Sequence, residues 1–347
     1  MADISIRVEG RAGRITLNRP QALNALTYEM CRAIDTALIQ WRADDAVALV
    51  MIDAAGDRAF CSGGDIAQMY ATGMAGDYAY GRRFWADEYR MNARIAEYPK
   101  AIVSFLQGFT MGGGVGVGCH GSHRIVGETA QIAMPECGIG LIPDVGGSYL
   151  LARAPGRLGE YLGTTGTRMG PSDAIFAGFA DMFVPEARWP DLKAQLIADG
   201  DPHIIAMSKH APESPLKALC CEIDALFAGE TMGDILRTLN HAGTAFSQGA
   251  LKAANRASPL ATAATIEMIH RLRGAPSMRR ALEMEYRFSW RAMEHGDFLE
   301  GIRAAIIDKD RNPRWRHESA DRVPAIDVSQ MLMPLGPDTL TFEEDHK

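Results

Sequence analysis

Apolar and polar residues alternate in two short segments near the start of the chain. The segments read ISIRVEG and RITLNRP and flank a glycine-containing turn, a pattern typical of a β-hairpin. Thr27 is a predicted helix N-cap, because the apolar residues after it recur every three or four positions. The members of this stripe are Met30, Ile34, Ala37, Leu38 and Trp41. The chain therefore begins with a predicted hairpin and an amphipathic helix.

Short apolar runs then alternate with helical patterns. ALVMIDA, AIVSFLQG and HRIVG predict buried strands, and the polar and aromatic segment from Ile66 to Tyr98 predicts helix. PSDAIFAGFA predicts a further helix before the strand-like DMFVP. Strands that alternate with helices indicate an α/β fold.

The amino-acid composition of the sequence changes near residue 195. Beyond it, segments such as ATAATIEMIHRLR are rich in Ala, Leu, Met, Glu and Arg and predict helices. The tail from Arg322 contains several prolines and predicts irregular chain. We therefore divide the chain into a core of residues 1–195 and a mainly helical C-terminal region of residues 196–347.

Composition and charge narrow the classes of partner. Hydrophobic residues make up 47% of the chain and charged residues 23%, which is ordinary for a globular protein. The net charge of -7 argues against nucleic acid and anionic membranes as partners, since both attract basic surfaces. The cysteines lack a disulfide framework and the first residues lack a signal-peptide pattern, so we expect buried thiols and a cytoplasmic protein.

The run from Ala101 to Ser122 holds many glycines and no Asp, Glu, Lys or Arg. GVGCHG within it matches G-x-G-x-x-G, but the next strand near Arg124 follows too soon for a dinucleotide-binding crossover. So many glycines also make a poor lipid-facing helix. The Cys and His residues in and after this run lack the usual spacing of zinc ligands, so we expect no metal. They are Cys119, His120, His123 and Cys137.

Two glycine-rich loops and one acidic segment carry the candidate chemistry. AFCSGGDI and GFTMGGGVG each follow an apolar strand, and each is either a tight turn or a source of backbone N–H groups for an oxyanion hole. MPECGIGLIPDVGG contributes Glu136 and Asp144 among apolar residues. Burial there raises a carboxyl pKa and suits it to acid–base catalysis, although a structural or capping role explains either residue alone.

Together, NRPQALNAL, AFCSGGDI, GFTMGGGVG and AMPECGIGLIPDVGG resemble the crotonase (enoyl-CoA hydratase/isomerase) superfamily. The resemblance implies a crotonase-like spiral of β-β-α units that binds an acyl-CoA and polarises its thioester carbonyl. It implies that the backbone N–H groups of Gly64 and Gly113 form the oxyanion hole. It further implies that coenzyme A is part of the substrate, with no separate cofactor, and that the C-terminal helices form a homo-oligomer.

Two departures from the hydratase pattern bear on the reaction. Hydratases carry a catalytic glutamate two residues after the GGG triplet, where this chain has Gly116, and they usually have glycine where this chain has Asp144. With DEYRMN, AGFADMFV and FLEGIRAAIIDKDRNPRW, these exchanges resemble the 3-hydroxyisobutyryl-CoA hydrolase subfamily of valine breakdown. The resemblance implies thioester hydrolysis, with a hydratase or isomerase of the same superfamily as the alternative.

The resemblance also implies roles for individual residues. The substrate-site positions are Glu88, Gly113, Glu136 and Asp144. Glu136 would activate water as a general base or attack the carbonyl itself, and the sequence leaves both routes open. Asp144 would position water or substrate and influence the pKa of Glu136, and Glu88 would accept a hydrogen bond from a substrate hydroxyl. A binding protein without catalytic activity is a further hypothesis.

Overall fold

The apolar runs form strands in the computed structural model, which describes residues 2–207 and 213–342. The strands are β1 (Ile4–Glu9), β2 (Ala12–Leu17), β3 (Leu49–Ala54), β4 (Ala59–Cys61), β5 (Ala101–Leu106), β6 (Phe109–Met111), β7 (His123–Val126), β8 (Gln131–Ala133) and β9 (Met182–Phe183). β1 and β2 pair antiparallel, which confirms the predicted hairpin.

The remaining regular structure of the described residues is helical. The helices are α1 (Tyr28–Trp41), α2 (Ala67–Met74), α3 (Ala79–Ala96), α4 (Gly113–Gly118), α5 (Gly147–Arg153), α6 (Leu158–Thr165), α7 (Pro171–Phe176), α8 (Trp189–Asp199), α9 (Pro215–Leu226), α10 (Met232–Ala242), α11 (Ala245–Ala254), α12 (Pro259–Arg273), α13 (Met278–His295), α14 (Phe298–Ile302) and α15 (Ala325–Leu332). None of the helices in the described ranges is long and apolar enough to cross a lipid bilayer.

Contacts divide the chain into two units that interleave along the sequence. Unit 1 contains the described residues within 1–65, 91–133 and 168–218, and unit 2 contains the described residues within 66–90, 134–167 and 219–347. The division by contacts does not test the predicted domain boundary at residue 195. That boundary stays a prediction.

All the strands belong to unit 1, and they alternate between two sheets as the chain proceeds. The larger sheet has the order β1-β2-β3-β5-β7-β9 and the smaller has the order β4-β6-β8. After the hairpin, β3, β5 and β7 of the large sheet are each followed by a strand of the small sheet, and the chain then returns to the large sheet at β9. Every pairing among these strands is parallel. This succession is the predicted spiral of β-β-α units.

Helices α1 and α8 pack against strands in the core of unit 1. The Thr27 side chain accepts a hydrogen bond from the Met30 N–H at 3.2 Å, so it is the predicted N-cap of α1, and the predicted apolar stripe of α1 is buried. Trp41 of α1 packs on Gly13 of β2, where a Cβ would lie 2.5 Å from its ring. Trp189 of α8 packs edge-on against Phe105 of β5, with ring centroids 5.3 Å apart.

Three expectations from the sequence were wrong in part. The segment from Ile66 to Tyr98 forms two helices, which are separated at Gly76 by a left-handed turn with φ +77°. The described part of the tail contains α15, which begins after Pro324 because proline is compatible with a helix start, and a short 3-10 turn at Gly336–Asp338. Cysteine burial holds for most of the thiols, but Cys220 is half-buried and Cys221 is exposed.

Gly114 allows the start of α4 to approach β4. A Cβ at Gly114 would lie 2.3 Å from the backbone oxygen of Cys61. We predict that Gly114→Ala lowers the free energy of unfolding by about 1–3 kcal/mol or more, because the backbone must shift to relieve the clash. Urea denaturation measures this effect. Gly170→Ala is the matched control, since nothing lies within 4 Å of its added Cβ, and an equal effect in both variants would contradict the interpretation.

Candidate active site

Gly64 and Gly113 follow the carboxyl ends of neighbouring strands in unit 1. β4 and β6 pair in parallel, and each strand leads into its own glycine loop. Because the carboxyl ends of adjacent parallel strands lie at the same edge of a sheet, the two loops are neighbours. The close approach of Gly114 to Cys61 is one contact between these segments. The structure thus brings the two predicted oxyanion-hole segments together.

The bridge between Gly64 and Leu26 leaves the Gly64 amide outside the pairing. Leu26 donates its N–H to the Gly63 carbonyl at 2.9 Å and accepts from the Asp65 N–H at 2.8 Å. In a parallel bridge these bonds belong to the neighbours of the central residue. The N–H of Gly64 itself therefore points away from Leu26.

The Gly113 amide is the first N–H of α4. Gly112 precedes it with φ +50° and ψ -119°, a conformation that favours glycine, and the chain turns there from β6 into the helix. The first N–H groups of a helix have no acceptor within it. The Gly113 N–H therefore has no acceptor within α4, as an amide that serves in an oxyanion hole requires.

The three predicted site carboxylates all lie in unit 2 and are all buried. Glu88 is on α3, Glu136 begins a short 3-10 turn (Glu136–Ile139), and Asp144 precedes α5; their exposed fractions are 4%, 5% and 4%. Burial, followed by the charge of Asp144, raises the pKa of Glu88 and of Glu136 well above the ordinary value. Burial likewise raises the pKa of Asp144 to about 7.

Two of these buried carboxyl groups have an oxygen without a hydrogen bond to the protein. In the described part of the chain, Glu88 Oε1 and Glu136 Oε2 have no partner. Leaving such an atom unpaired in the interior costs free energy, and a hydroxyl donor from water or substrate would remove that cost. Within the same ranges, no group of three or more His, Cys, Asp or Glu side chains is arranged to hold a metal ion.

Glu285 of α13 holds the loop that presents Asp144. Val145 and Gly146 have φ values of +52° and +81°, and a β-branched residue in that region is strained. Glu285 accepts hydrogen bonds from the N–H of Gly146 at 2.8 Å, from the N–H of Ser148 at 3.0 Å and from the Ser148 hydroxyl. Burial raises the pKa of Glu285 to about 8, although the Ser148 and Gly146 bonds oppose the rise.

Tyr89 and Ser289 complete the surroundings of Asp144. The Tyr89 hydroxyl donates to Asp144 Oδ2 at 2.7 Å and lies 2.7 Å from Ser289 Oγ. Both side chains are fully buried, and the Tyr286 ring packs edge-on against that of Tyr89 with centroids 6.2 Å apart. The phenol therefore has a fixed position beside the carboxyl group.

The turn that carries Glu136 rests on α14. A Cβ at Gly301 would lie 2.1 Å from the backbone oxygen of Ile139, and a Cβ at Gly140 would lie 2.5 Å from the backbone of Asp297. Only glycine permits these approaches of one backbone to another. The C-terminal segment therefore fixes the turn from which the Glu136 side chain extends.

Sequence reasoning did not identify Tyr89, Glu285, Ser289 or Ser148. A signal for two of them was present, because Glu285 and Ser289 occupy helical positions in register with the apolar residues Leu282, Phe288 and Ala292. Polar residues inside an apolar stripe are buried when the helix packs. Their closeness to Asp144, however, depends on tertiary contacts between segments more than 100 residues apart.

Comparison with known proteins places these features in a family. The family described as Enoyl-CoA hydratase/isomerase matches residues 12–332. The chain belongs to this family. The α/β crotonase-like fold expected from the sequence is thereby confirmed, and solved structures of family members agree with it.

Curated relatives of this chain are named as hydrolases. The chicken protein (Gallus gallus) is 36% identical over 96% of this chain and 90% of its own length. The human protein (Homo sapiens) is 35% identical over 98% of this chain and 91% of its own length. Both are named 3-hydroxyisobutyryl-CoA hydrolase, mitochondrial.

Two solved structures match almost the whole of this chain. An enoyl-CoA hydratase from Rhodobacter sphaeroides 2.4.1 has a TM-score of 0.95 and 59% identity, covering 98% of this chain and all of that one. A carnitinyl-CoA dehydratase from Mycobacterium thermoresistibile has a TM-score of 0.94 and 41% identity, covering 99% of this chain and all of that one. These two structures are thus described with activities that differ from the hydrolase activity named for the curated relatives.

The raised pKa of Asp144 predicts a pH-dependent stability. The folded protein binds a proton at Asp144 between about pH 4 and pH 7, where the unfolded chain does not, so the free energy of unfolding falls as pH rises through this window. Asp144→Asn removes the proton exchange. We predict that the stability of the variant relative to the native chain increases by on the order of 2 kcal/mol between pH 5 and pH 8.

Urea denaturation at the two pH values measures this difference. Asp45→Asn is the control, because Asp45 is exposed and its replacement should leave the difference unchanged. If Asp144→Asn followed the native pH dependence, Asp144 would not be the buried proton acceptor described above.

Proposed function

We propose that this protein hydrolyses an acyl-CoA thioester and that the substrate is 3-hydroxyisobutyryl-CoA. The reaction consumes one water and gives 3-hydroxyisobutyrate and free coenzyme A. The observation that carries the proposal is the buried pair Glu136 and Asp144, combined with Gly116 in place of the hydratase glutamate. The names of the curated relatives support the same substrate.

The oxyanion hole would consist of the Gly64 and Gly113 amides. As water attacks the thioester carbon, the carbonyl oxygen gains negative charge, and two N–H donors stabilise that charge more than they stabilise the ground state. The loss of one such donor typically costs about 3 kcal/mol in the activation barrier.

Glu136 would supply the acid–base chemistry. As a general base, it takes a proton from the attacking water; the tetrahedral intermediate then expels the thiolate, and the proton passes to sulfur. On the covalent route, the Glu136 carboxylate attacks the carbonyl carbon and expels the thiolate, and water then hydrolyses the mixed anhydride. Either route requires ionised Glu136, and burial and Asp144 raise its pKa. Activity should therefore increase with pH, and the midpoint of the increase should lie well above 4.5, the ordinary pKa of a glutamate side chain.

Asp144 and Glu88 would orient the reactants. Asp144 would hold the water or substrate beside Glu136, and its charge makes Glu136 a stronger base by raising the pKa. Glu88 would accept a hydrogen bond from the substrate hydroxyl, and its unpaired Oε1 supports that role. A cytoplasmic location and a homo-oligomer through the C-terminal helices stay predictions. Fractionation of the source cells and light scattering of the purified protein would test them.

Replacement of Glu136 tests the assignment directly. We predict that Glu136→Gln lowers kcat by about two to four orders of magnitude, the usual scale for acid–base catalysis, because the amide neither takes a proton nor attacks the carbonyl. Thiol release from 3-hydroxyisobutyryl-CoA measures the rate. Glu267→Gln is the control, since its carboxylate is 42% exposed and pairs with Arg271. Near-native turnover by Glu136→Gln would remove Glu136 from the mechanism.

Isotope labelling separates the two routes. In a single turnover in oxygen-18 water, attack of water on the glutamyl carbonyl of the anhydride places label in the Glu136 carboxylate, so label there establishes the covalent route. Attack on the acyl carbonyl places label in the product only. The general-base route leaves that carboxylate unlabelled. Mass spectrometry of the peptide that contains Glu136 reads the result.

A hydratase is the second candidate function, because the Rhodobacter sphaeroides structure is described as an enoyl-CoA hydratase at 59% identity. Gly116 leaves one of the two hydratase glutamates missing, so we predict thiol release from 3-hydroxyisobutyryl-CoA and little hydration of crotonyl-CoA. Parallel thiol and crotonyl-CoA absorbance assays measure both. Hydration without thiol release would establish the alternative and overturn the hydrolase.

A further inference from the structure

A chain of hydroxyl groups connects Asp144 to the backbone of α13. Tyr89 Oη lies 2.7 Å from both Asp144 Oδ2 and Ser289 Oγ. Ser289 Oγ in turn lies 3.1 Å from the backbone oxygen of Glu285. Tyr89, Ser289 and Glu285 are each 0% exposed, so these groups rely on one another for hydrogen bonds.

Each hydroxyl group in this series has one proton to donate and can also accept a hydrogen bond. The series can therefore form hydrogen bonds with Asp144 in both its ionised and its protonated state. When Asp144 is ionised, Tyr89 donates to the carboxylate and Ser289 donates to Tyr89. When Asp144 is protonated, Asp144 donates to Tyr89, Tyr89 donates to Ser289, and Ser289 donates to the backbone oxygen on α13. Rotation of two hydroxyl groups interconverts the arrangements without moving a heavy atom.

The charges that face Asp144 make both of its states relevant near neutral pH. Glu88 faces it from α3, Glu136 from the 3-10 turn, and Glu285 from α13, and the charge of Asp144 raises the pKa of each. Asp144 therefore shares its buried surroundings with other carboxyl groups. A proton that enters or leaves this group of acids changes the charge that acts on Glu136.

We propose that Tyr89 and Ser289 are positioning residues that hold the Asp144 carboxyl group in one place in both protonation states by reversing the direction of their hydrogen bonds. This inference rests on the proposed function, in which Asp144 acts beside Glu136. Its consequence for the reaction is that Asp144 keeps its alignment while protons are exchanged at the neighbouring carboxylates.

Two single variants should move the titration of Asp144 in opposite directions. Tyr89→Phe removes the donor to the ionised carboxylate and should raise the pKa of Asp144 by about one pH unit. Ser289→Ala leaves the phenol without an acceptor when Asp144 is protonated, so it should lower that pKa by about half a unit. Carbon-13 NMR of the free protein labelled in the aspartate carboxyl groups measures both, and Asp144→Asn assigns the signal.

A double variant tests whether Ser289 acts only through Tyr89. Tyr89→Phe combined with Ser289→Ala should titrate as Tyr89→Phe does alone, because the serine then has no connection to Asp144. Tyr98→Phe is the control, since the Tyr98 hydroxyl donates to the backbone oxygen of Leu38 instead, and it should leave the titration unchanged. Shifts of the same sign in the two single variants, or no shift, would overturn the proposal. If Tyr89→Phe failed to fold, the direction of the Ser289→Ala shift would decide alone.

The pH profile of kcat links the titration to catalysis. Because Glu136 must be ionised and the charge of Asp144 raises its pKa, the acidic limb of the profile should move in the direction opposite to the shift of the Asp144 pKa in each variant. Absence of thioester turnover in the native protein would overturn the proposed function and leave the NMR titration interpretable. Unchanged titrations with normal turnover would overturn only the positioning role.

Discussion

The geometry of the acidic site depends on the carboxylate of Glu285. Its oxygens receive donors from the loop that follows Asp144, and this loop contains a valine in the left-handed region. Such a backbone is stable only where surrounding contacts over-determine it. A helix of the C-terminal region therefore holds Asp144 in place, and the strain at Val145 is offset by bonds to a buried acid.

Burial of several acids within unit 2 has an electrostatic cost that catalysis can use. Glu88, Glu136, Asp144 and Glu285 all have raised pKa values, and desolvation is the largest cause in each case. In water these groups would be ionised at neutral pH and would be weak bases. In the interior they hold protons more tightly, as a general base near neutral pH must, and the fold is less stable for that reason.

The groups proposed to act on the substrate could be predicted from the sequence. Few of the groups that support them could be predicted in the same way. Glu136 and Asp144 stand in a short acidic segment among apolar residues, and the glycine triplet before α4 is a local signal, so both could be found by reading along the chain. Tyr89 and Ser289 meet only through helix packing, and no local pattern connects α3 with α13. The helix α15 was missed because prolines at its boundaries were interpreted as signs of irregular chain.

The contact of Gly301 with the turn after Glu136 has a consequence for synthesis on the ribosome. Glu136 and Asp144 leave the ribosome before Glu285, Ser289 and Gly301, which are synthesised more than 100 residues later. The acidic side chains therefore lack their fixed supports until α13 and α14 have been made. An incomplete chain that ended before α13 would contain every proposed catalytic residue and still lack the framework that aligns the acids, so premature release would yield an inert product.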